Sequence, residues 1–116
     1  MQKKLDLSLY VITDRLLSRG RTHLEVVEKA IEGGATCIQL REKDASITTR
    51  ELFTLAEKLR VLTRGKGVAL IINDRLDIAL SVGADGVHLG QDDLPLGVAR
   101  RLLPPEMILG ASAGDP

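Results

Sequence analysis

The sequence predicts an α/β fold of parallel βα repeats that forms the first half of a TIM-type (β/α)₈ barrel and stops after its fifth strand. Three observations lead there. Short, nearly continuous apolar runs alternate with amphipathic stretches along the chain, the pattern of strands feeding helices around a parallel sheet. Two of the amphipathic stretches open with capping boxes. One segment, Gly-Ala-x-x-Ile/Val-x-Leu, also occurs twice, as an internal repeat of βα units would produce.

Taken in chain order, the predicted strands are Leu9 to Thr13, Cys37 to Leu40, Val68 to Asn73, Gly86 to Leu89 and Met107 to Ala111. Their near-continuous apolar character predicts cover on both faces. The first helix follows Thr22, with Glu25 three residues on; the second follows Thr48, with Glu51 in the same place. In each box the hydroxyl and the Glu carboxylate satisfy backbone N–H groups that have no partner within the helix. Leu52, Leu55, Ala56, Leu59 and Leu62 then recur at helical spacing as one buried stripe, leaving Arg50, Glu57, Lys58 and Arg60 in solvent. A third helix is expected from Leu76 to about Ser81, and a fourth near Pro95, whose fixed φ suits a first helical turn. The repeat pairs Gly34-Ala35-Thr36-Cys37-Ile38-Gln39-Leu40 with Gly83-Ala84-Asp85-Gly86-Val87-His88-Leu89, each reading helix end, Gly stop, strand. A complete barrel takes eight units and typically about 250 residues. The 116 residues here hold about four and a half units, so residues 1–116 read as one partial barrel domain.

Composition narrows the function. Hydrophobic residues make up 44% of the chain, enough for a core without disulfides. Lys+Arg and Asp+Glu balance at 16 each, which gives no general pull toward nucleic acid or an acidic membrane. With one Phe, one Tyr and no Trp, aromatic platforms for single-stranded nucleic acid are missing. No apolar run reaches the ~20 residues of a membrane span, and the N-terminal segment is broken by Asp6, Ser8, Thr13 and Asp14, unlike a secretory leader. The lone Cys37 fits a reducing, cytoplasmic setting.

Ligands of parallel α/β folds sit at the C-terminal ends of the strands, so polar residues that follow the apolar runs are the first candidates. Alternation sends Gln39 and Arg41 to one face, with Lys43 just beyond. An Arg fork beside a Lys point charge suits a phosphate or pyrophosphate; a solvated turn with ion pairs to Glu42 and Asp44 is the competing reading. Asn73 and Asp74 end the third strand, and Asp93 follows the fourth. Each Asp, taken alone, fits a helix N-cap; together, on adjacent strands, they fit Mg²⁺, which takes one or two carboxylates and completes its shell with water and substrate phosphate. His88 is expected in the barrel interior or hydrogen-bonded in the core, and His23 as a solvated helix residue. In Gly110-Ala111-Ser112-Ala113-Gly114, small residues would let backbone N–H groups and the Ser hydroxyl approach an anion.

The motifs Tyr10-Val11-Ile12-Thr13-Asp14, Gln39-Leu40-Arg41-Glu42-Lys43, Asn73-Asp74-Arg75-Leu76-Asp77, Ala84-Asp85-Gly86-Val87-His88-Leu89-Gly90-Gln91 and Leu109-Gly110-Ala111-Ser112-Ala113, in this order, resemble the thiamine phosphate synthase family over essentially the whole chain. The resemblance implies a transferase that joins hydroxymethyl-aminopyrimidine pyrophosphate to hydroxyethylthiazole phosphate, giving thiamine phosphate and pyrophosphate with Mg²⁺. It implies that Gln39, Arg41, Lys43 and Asn73 hold the pyrimidine pyrophosphate, that Asp74 and Asp93 bind magnesium, and that Ser112 contacts substrate. Arg41, Lys43 and Ser112 are the catalytic candidates. The family continues beyond this length, and Gly114-Asp115-Pro116 stands where a His-containing stretch is usual. The 116-residue chain alone is therefore expected not to turn over. Two alternatives stand beside this reading: a thiazole tautomerase-like paralogue, and a non-catalytic half barrel that self-associates through its exposed edges.

Overall fold

The computed structural model describes residues 9–14, 22–43 and 46–111. The described elements are β1 (Tyr10–Asp14), α1 (His23–Glu32), β2 (Cys37–Arg41), α2 (Thr49–Lys66), β3 (Ala69–Asn73), α3 (Leu76–Val82), β4 (Gly86–Leu89), α4 (Leu96–Leu102) and β5 (Ile108–Ala111). All five strands are parallel and lie in the order β1-β2-β3-β4-β5.

The helices start where the sequence says they should. The Thr22 hydroxyl accepts from the Glu25 amide at 3.1 Å while the Glu25 carboxylate accepts from the Thr22 amide. Thr48 and Glu51 repeat the arrangement, each bond 3.0 Å long. On α2 the buried stripe is Leu52, Ala56, Leu59 and Thr63, with Leu55 and Leu62 packed half-buried beside it. Arg50, Glu57 and Lys58 are exposed as expected, but Arg60 is not. It reaches Asp85 through both terminal nitrogens and is only 13% exposed. A carboxylate 25 residues away, contributed by the α3–β4 turn, draws the guanidinium under the sheet.

The repeat has a structural meaning that its apolar residues alone do not disclose. Thr36 and Asp85 occupy matching positions, and each pins the start of the preceding strand. The Thr36 hydroxyl accepts from the Leu9 amide at 3.1 Å, and the Asp85 carboxylate accepts from the Leu70 amide at 2.8 Å. Gly83 ends α3 with φ at 65°, a left-handed conformation that side chains resist.

Right-handed crossovers that always step to the next strand in the same direction place every helix on the same face. Ile38, Leu40, Leu70, Ile72, Val87 and Leu89 point to that face and form the core with Val27, Leu59, Ile78 and Ala99 from the helices. The opposite face contradicts the expectation of double cover. Its centre, Cys37, Ala69 and Ile71, is buried as a second small cluster. Toward the edges Ile12 and Ile108 are exposed, Ile12 by 53%. Helices wound to one side leave the other face to be covered only by curvature of the sheet itself, which is barrel architecture. Burial pushes the Cys37 thiol up to about 11, with Asp85 adding to the shift, so it remains protonated and unreactive at neutral pH.

Gly86 lies where this inner face is tightest. A Cβ there would stand 2.6 Å from the Ile108 carbonyl oxygen and 2.9 Å from Ile71 Cδ1. Gly86→Ala should cost about 1–3 kcal/mol through overpacking. The check is a lower urea midpoint at unchanged slope.

Candidate active site at the strand C-termini

The inner-face side chains of β1, β2 and β3 are joined across the sheet by a polar ladder. Gln39, 3% exposed, donates from Nε2 to Tyr10 Oη at 2.7 Å and accepts from Asn73 Nδ2 at 2.9 Å. Its amide is therefore held at both ends, and Tyr10 is left with its own hydroxyl proton to donate. Burial raises the Tyr10 phenol above its ordinary pKa, against the lowering effect of the Gln39 bond, so it stays protonated at neutral pH. These residues share a concavity of about 520 Å³ with Arg41, His88 and Gly110. Gln39 and Arg41 thus occupy one face, as alternation requires. His88 is half-buried on the inner face, the barrel-interior position expected of it. A Cβ at Gly110 would lie 3.2 Å from the His88 ring, so the absence of a side chain there keeps this wall open.

Just above the ladder two charged residues from neighbouring loops meet. Lys43 pairs directly with the Asp74 carboxylate, which joins the loop after β2 to the loop after β3. Asp74 is the one described non-glycine residue with positive φ, at 59°. Its amide donates to the His88 carbonyl at 2.8 Å, and Arg75 N donates to the Asn73 carbonyl at 2.9 Å, closing a three-residue turn around it. Turns of this γ type with positive φ are rare and strained, and such strain concentrates at functional positions. Asp93 is fixed by its own loop: its carboxylate accepts from the Gly90 amide at 2.7 Å, directly after β4.

Neither Asp is a helix cap. Arg75 and Pro95 hold the N-cap positions of α3 and α4, and neither helix has a side-chain cap bond. Both carboxylates lie over the C-terminal ends of neighbouring strands instead, on the same rim as Arg41 and Lys43. Among the described residues no three His, Cys, Asp or Glu side chains come together as a metal cluster. The donors present are hard oxygens from two strand ends. That set suits Mg²⁺, whose remaining positions go to water and phosphate, rather than zinc or another soft-ligand metal. Ser112 and Asp44 lie outside the described residues.

Two residues have roles here that the sequence does not disclose. Tyr10 has no motif chemistry of its own; its role comes from the β1–β2 pairing that sets it beside Gln39. His23 was expected in solvent but is 3% exposed, bonded through Nδ1 to Thr13 Oγ1 and through Nε2 to Glu42 at 2.8 Å. The carboxylate that draws it inward is 19 residues downstream, beyond any local pattern.

Residues 9–116 match the family described as thiamine monophosphate synthase. The chain belongs to this family. It is 59% identical over 107 residues to the thiamine-phosphate synthase of Syntrophomonas wolfei, covering 92% of this chain and 50% of that one. It is 58% identical over 109 residues to that of Chloroflexus aurantiacus, covering 94% and 49%. Among solved structures, thiamine phosphate pyrophosphorylase from Pyrococcus furiosus superposes with a TM-score of 0.82 at 46% identity, over 92% of this chain and 50% of that one. The chain thus spans about half the length of the relatives it matches. These relatives are transferases, and the fold is half of a TIM-type barrel. Nothing in these matches favours the tautomerase alternative. No described helix is long and apolar enough to cross a membrane.

Proposed function

We propose that this chain carries the pyrophosphate- and metal-binding part of a thiamine phosphate synthase active site, in a protein working in the cytoplasm. The whole enzyme would couple hydroxymethyl-aminopyrimidine pyrophosphate to hydroxyethylthiazole phosphate, forming thiamine phosphate and releasing pyrophosphate. The observation that carries this reading is the Lys43–Asp74 contact, which brings a cation from one strand end and a strained carboxylate from the next onto one rim beside Arg41.

In this reading Arg41 binds pyrophosphate oxygens with its fork and Lys43 contributes a point charge once it leaves Asp74. Gln39 and Asn73, locked to each other, hold the same substrate from the inner face, and Ser112 contacts it from the segment after β5. Asp74 and Asp93 would hold Mg²⁺, which when bound supplies charge neutralisation for a departing pyrophosphate. Since the leaving group is already good, the protein needs no nucleophile of its own; its residues position the substrate and stabilise developing charge.

Calorimetry on the 116-residue chain tests this. Inorganic pyrophosphate should bind weakly alone and more tightly once magnesium is added. Identical isotherms with and without magnesium would count against the assignment. The exposed Ile12 and Ile108 on the outermost described strands, β1 and β5, favour a second reading, a non-catalytic half barrel that pairs with a copy of itself. Under that reading no pyrophosphate binding is expected.

A further inference from the structure

The segment that carries Arg41 and Lys43 is held from behind by a buried polar cluster. Side chains alternate across a strand, so Arg41 faces the concavity while Leu40 and Glu42 turn toward the helix layer. There the Glu42 carboxylate, 1% exposed, meets His23 Nε2 at 2.8 Å, and His23 Nδ1 meets the hydroxyl of Thr13 on β1. Thr13 itself is 1% exposed. The cluster therefore links the end of β1, the first residue of α1 and the residue lying between the two cations of the rim.

An ionised carboxylate this deeply buried is costly unless it is paired and hydrogen-bonded. The neutral Nε2–H tautomer and the imidazolium both donate from Nε2 to Glu42, so the contact persists in either protonation state of the ring. The capping box at Thr22 and Glu25 fixes the helix start on which His23 sits. An apolar residue at position 42 would satisfy the core equally well, but it would not fix the backbone against a directional bond. Glu42 is bracketed by Arg41 and Lys43, so rotation or slippage at this residue moves both cations.

We infer that His23 is a positioning residue, which through Glu42 sets the placement of Arg41 and Lys43 for binding a diphosphate at the rim. This rests on the functional reading above and adds to it a clamp on the helix side of the sheet, remote from the ligand. Neither Thr13 nor His23 lines the cavity; the side-chain contact that reaches the rim segment from them is the His23–Glu42 bond.

The test uses the 116-residue chain, inorganic pyrophosphate with magnesium, and ¹⁵N order parameters for the amides of residues 41–43. Glu42→Ala should weaken pyrophosphate about tenfold or more, as loss of supporting contacts behind ligand-binding groups commonly does. It should also lower the order parameters with or without ligand. Glu42→Gln keeps an oxygen for the Nε2 donor and should stay near wild type in both readouts. Should Glu42→Ala fail to fold, the double variant His23→Phe/Glu42→Leu leaves no buried charge unpaired and is expected to fold. It should share the loss of affinity and order. A double variant with wild-type affinity and wild-type order at 41–43 would overturn the inference, because the pair would then only fill space. If the wild-type chain binds no pyrophosphate, the functional reading falls, while the order parameters still decide the clamp: a drop in the variants supports it and no change refutes it.

Discussion

Asp74→Asn is expected to erase the magnesium dependence of pyrophosphate binding while leaving the fold standing. The position needs a residue that accepts φ of 59°, and Asn tolerates the left-handed region at least as well as Asp. The backbone bond from residue 74 to the His88 carbonyl does not involve the side chain and survives. What disappears is the negative charge that Lys43 now meets and that a divalent cation would require. Affinity for pyrophosphate in magnesium should fall by about tenfold or more, toward the value measured without metal. The thermal midpoint should move by no more than about 4 °C, the consequence of a change of ~0.5 kcal/mol in a small domain. Asp74→Ala is a poorer probe, since an Ala at this φ adds a backbone penalty of about 1–2 kcal/mol. Calorimetry beside a thermal melt separates the two effects. Undiminished magnesium dependence in Asp74→Asn would remove Asp74 from the metal site.

The contrast between these residues and the helices shows what a linear pattern can carry. Capping boxes and apolar runs are local, and the strands and helices inferred from them agree with the structure to about a residue at most ends. Alternation likewise sufficed to put Gln39 and Arg41 on one face, because the strand imposes it. The burial of His23 and Arg60 was hidden for the opposite reason. Each is a polar residue at a position of ordinary helical solvent exposure, brought inward by a carboxylate that only the sheet topology delivers. The left-handed backbone at Asp74 belongs to this second class. The Asn-Asp-Arg sequence reads as a cap-and-helix start, and only the β3–β4 pairing, which sets Asn73 opposite His88, converts it into a tight turn that lifts the carboxylate to the rim. Missed cover on the inner face has the same origin, since apolar composition says that a strand is buried but not by what.

Asp85 offers the sharpest separation of stability from ligand binding. It stands at the N-terminal end of β4, on the opposite end of the strands from the rim, where barrels of this type keep their stabilising contacts. Its carboxylate accepts from Arg60 at 2.7 and 3.4 Å and from the Leu70 amide at 2.8 Å. Asp85→Ala would strand a guanidinium that is only 13% exposed and whose Nε has no hydrogen-bond partner among the described residues. Breaking a fully buried pair costs about 3–5 kcal/mol; with Asp85 27% exposed to screening water, about 2–3 kcal/mol is the reasonable expectation. Arg60→Leu should cost less, about 1 kcal/mol, because Asp85 keeps the Leu70 amide and can turn to solvent while the leucine fills the space under the sheet. Urea unfolding should rank the variants in that order, and both should bind pyrophosphate with wild-type affinity under conditions where they are folded. Equal losses from the two substitutions would mean that Arg60, rather than the carboxylate, dominates the contact. A change in ligand affinity would mean that the two ends of the sheet are mechanically coupled, which separate placement of Asp85 and the Arg41–Asp74 rim does not predict.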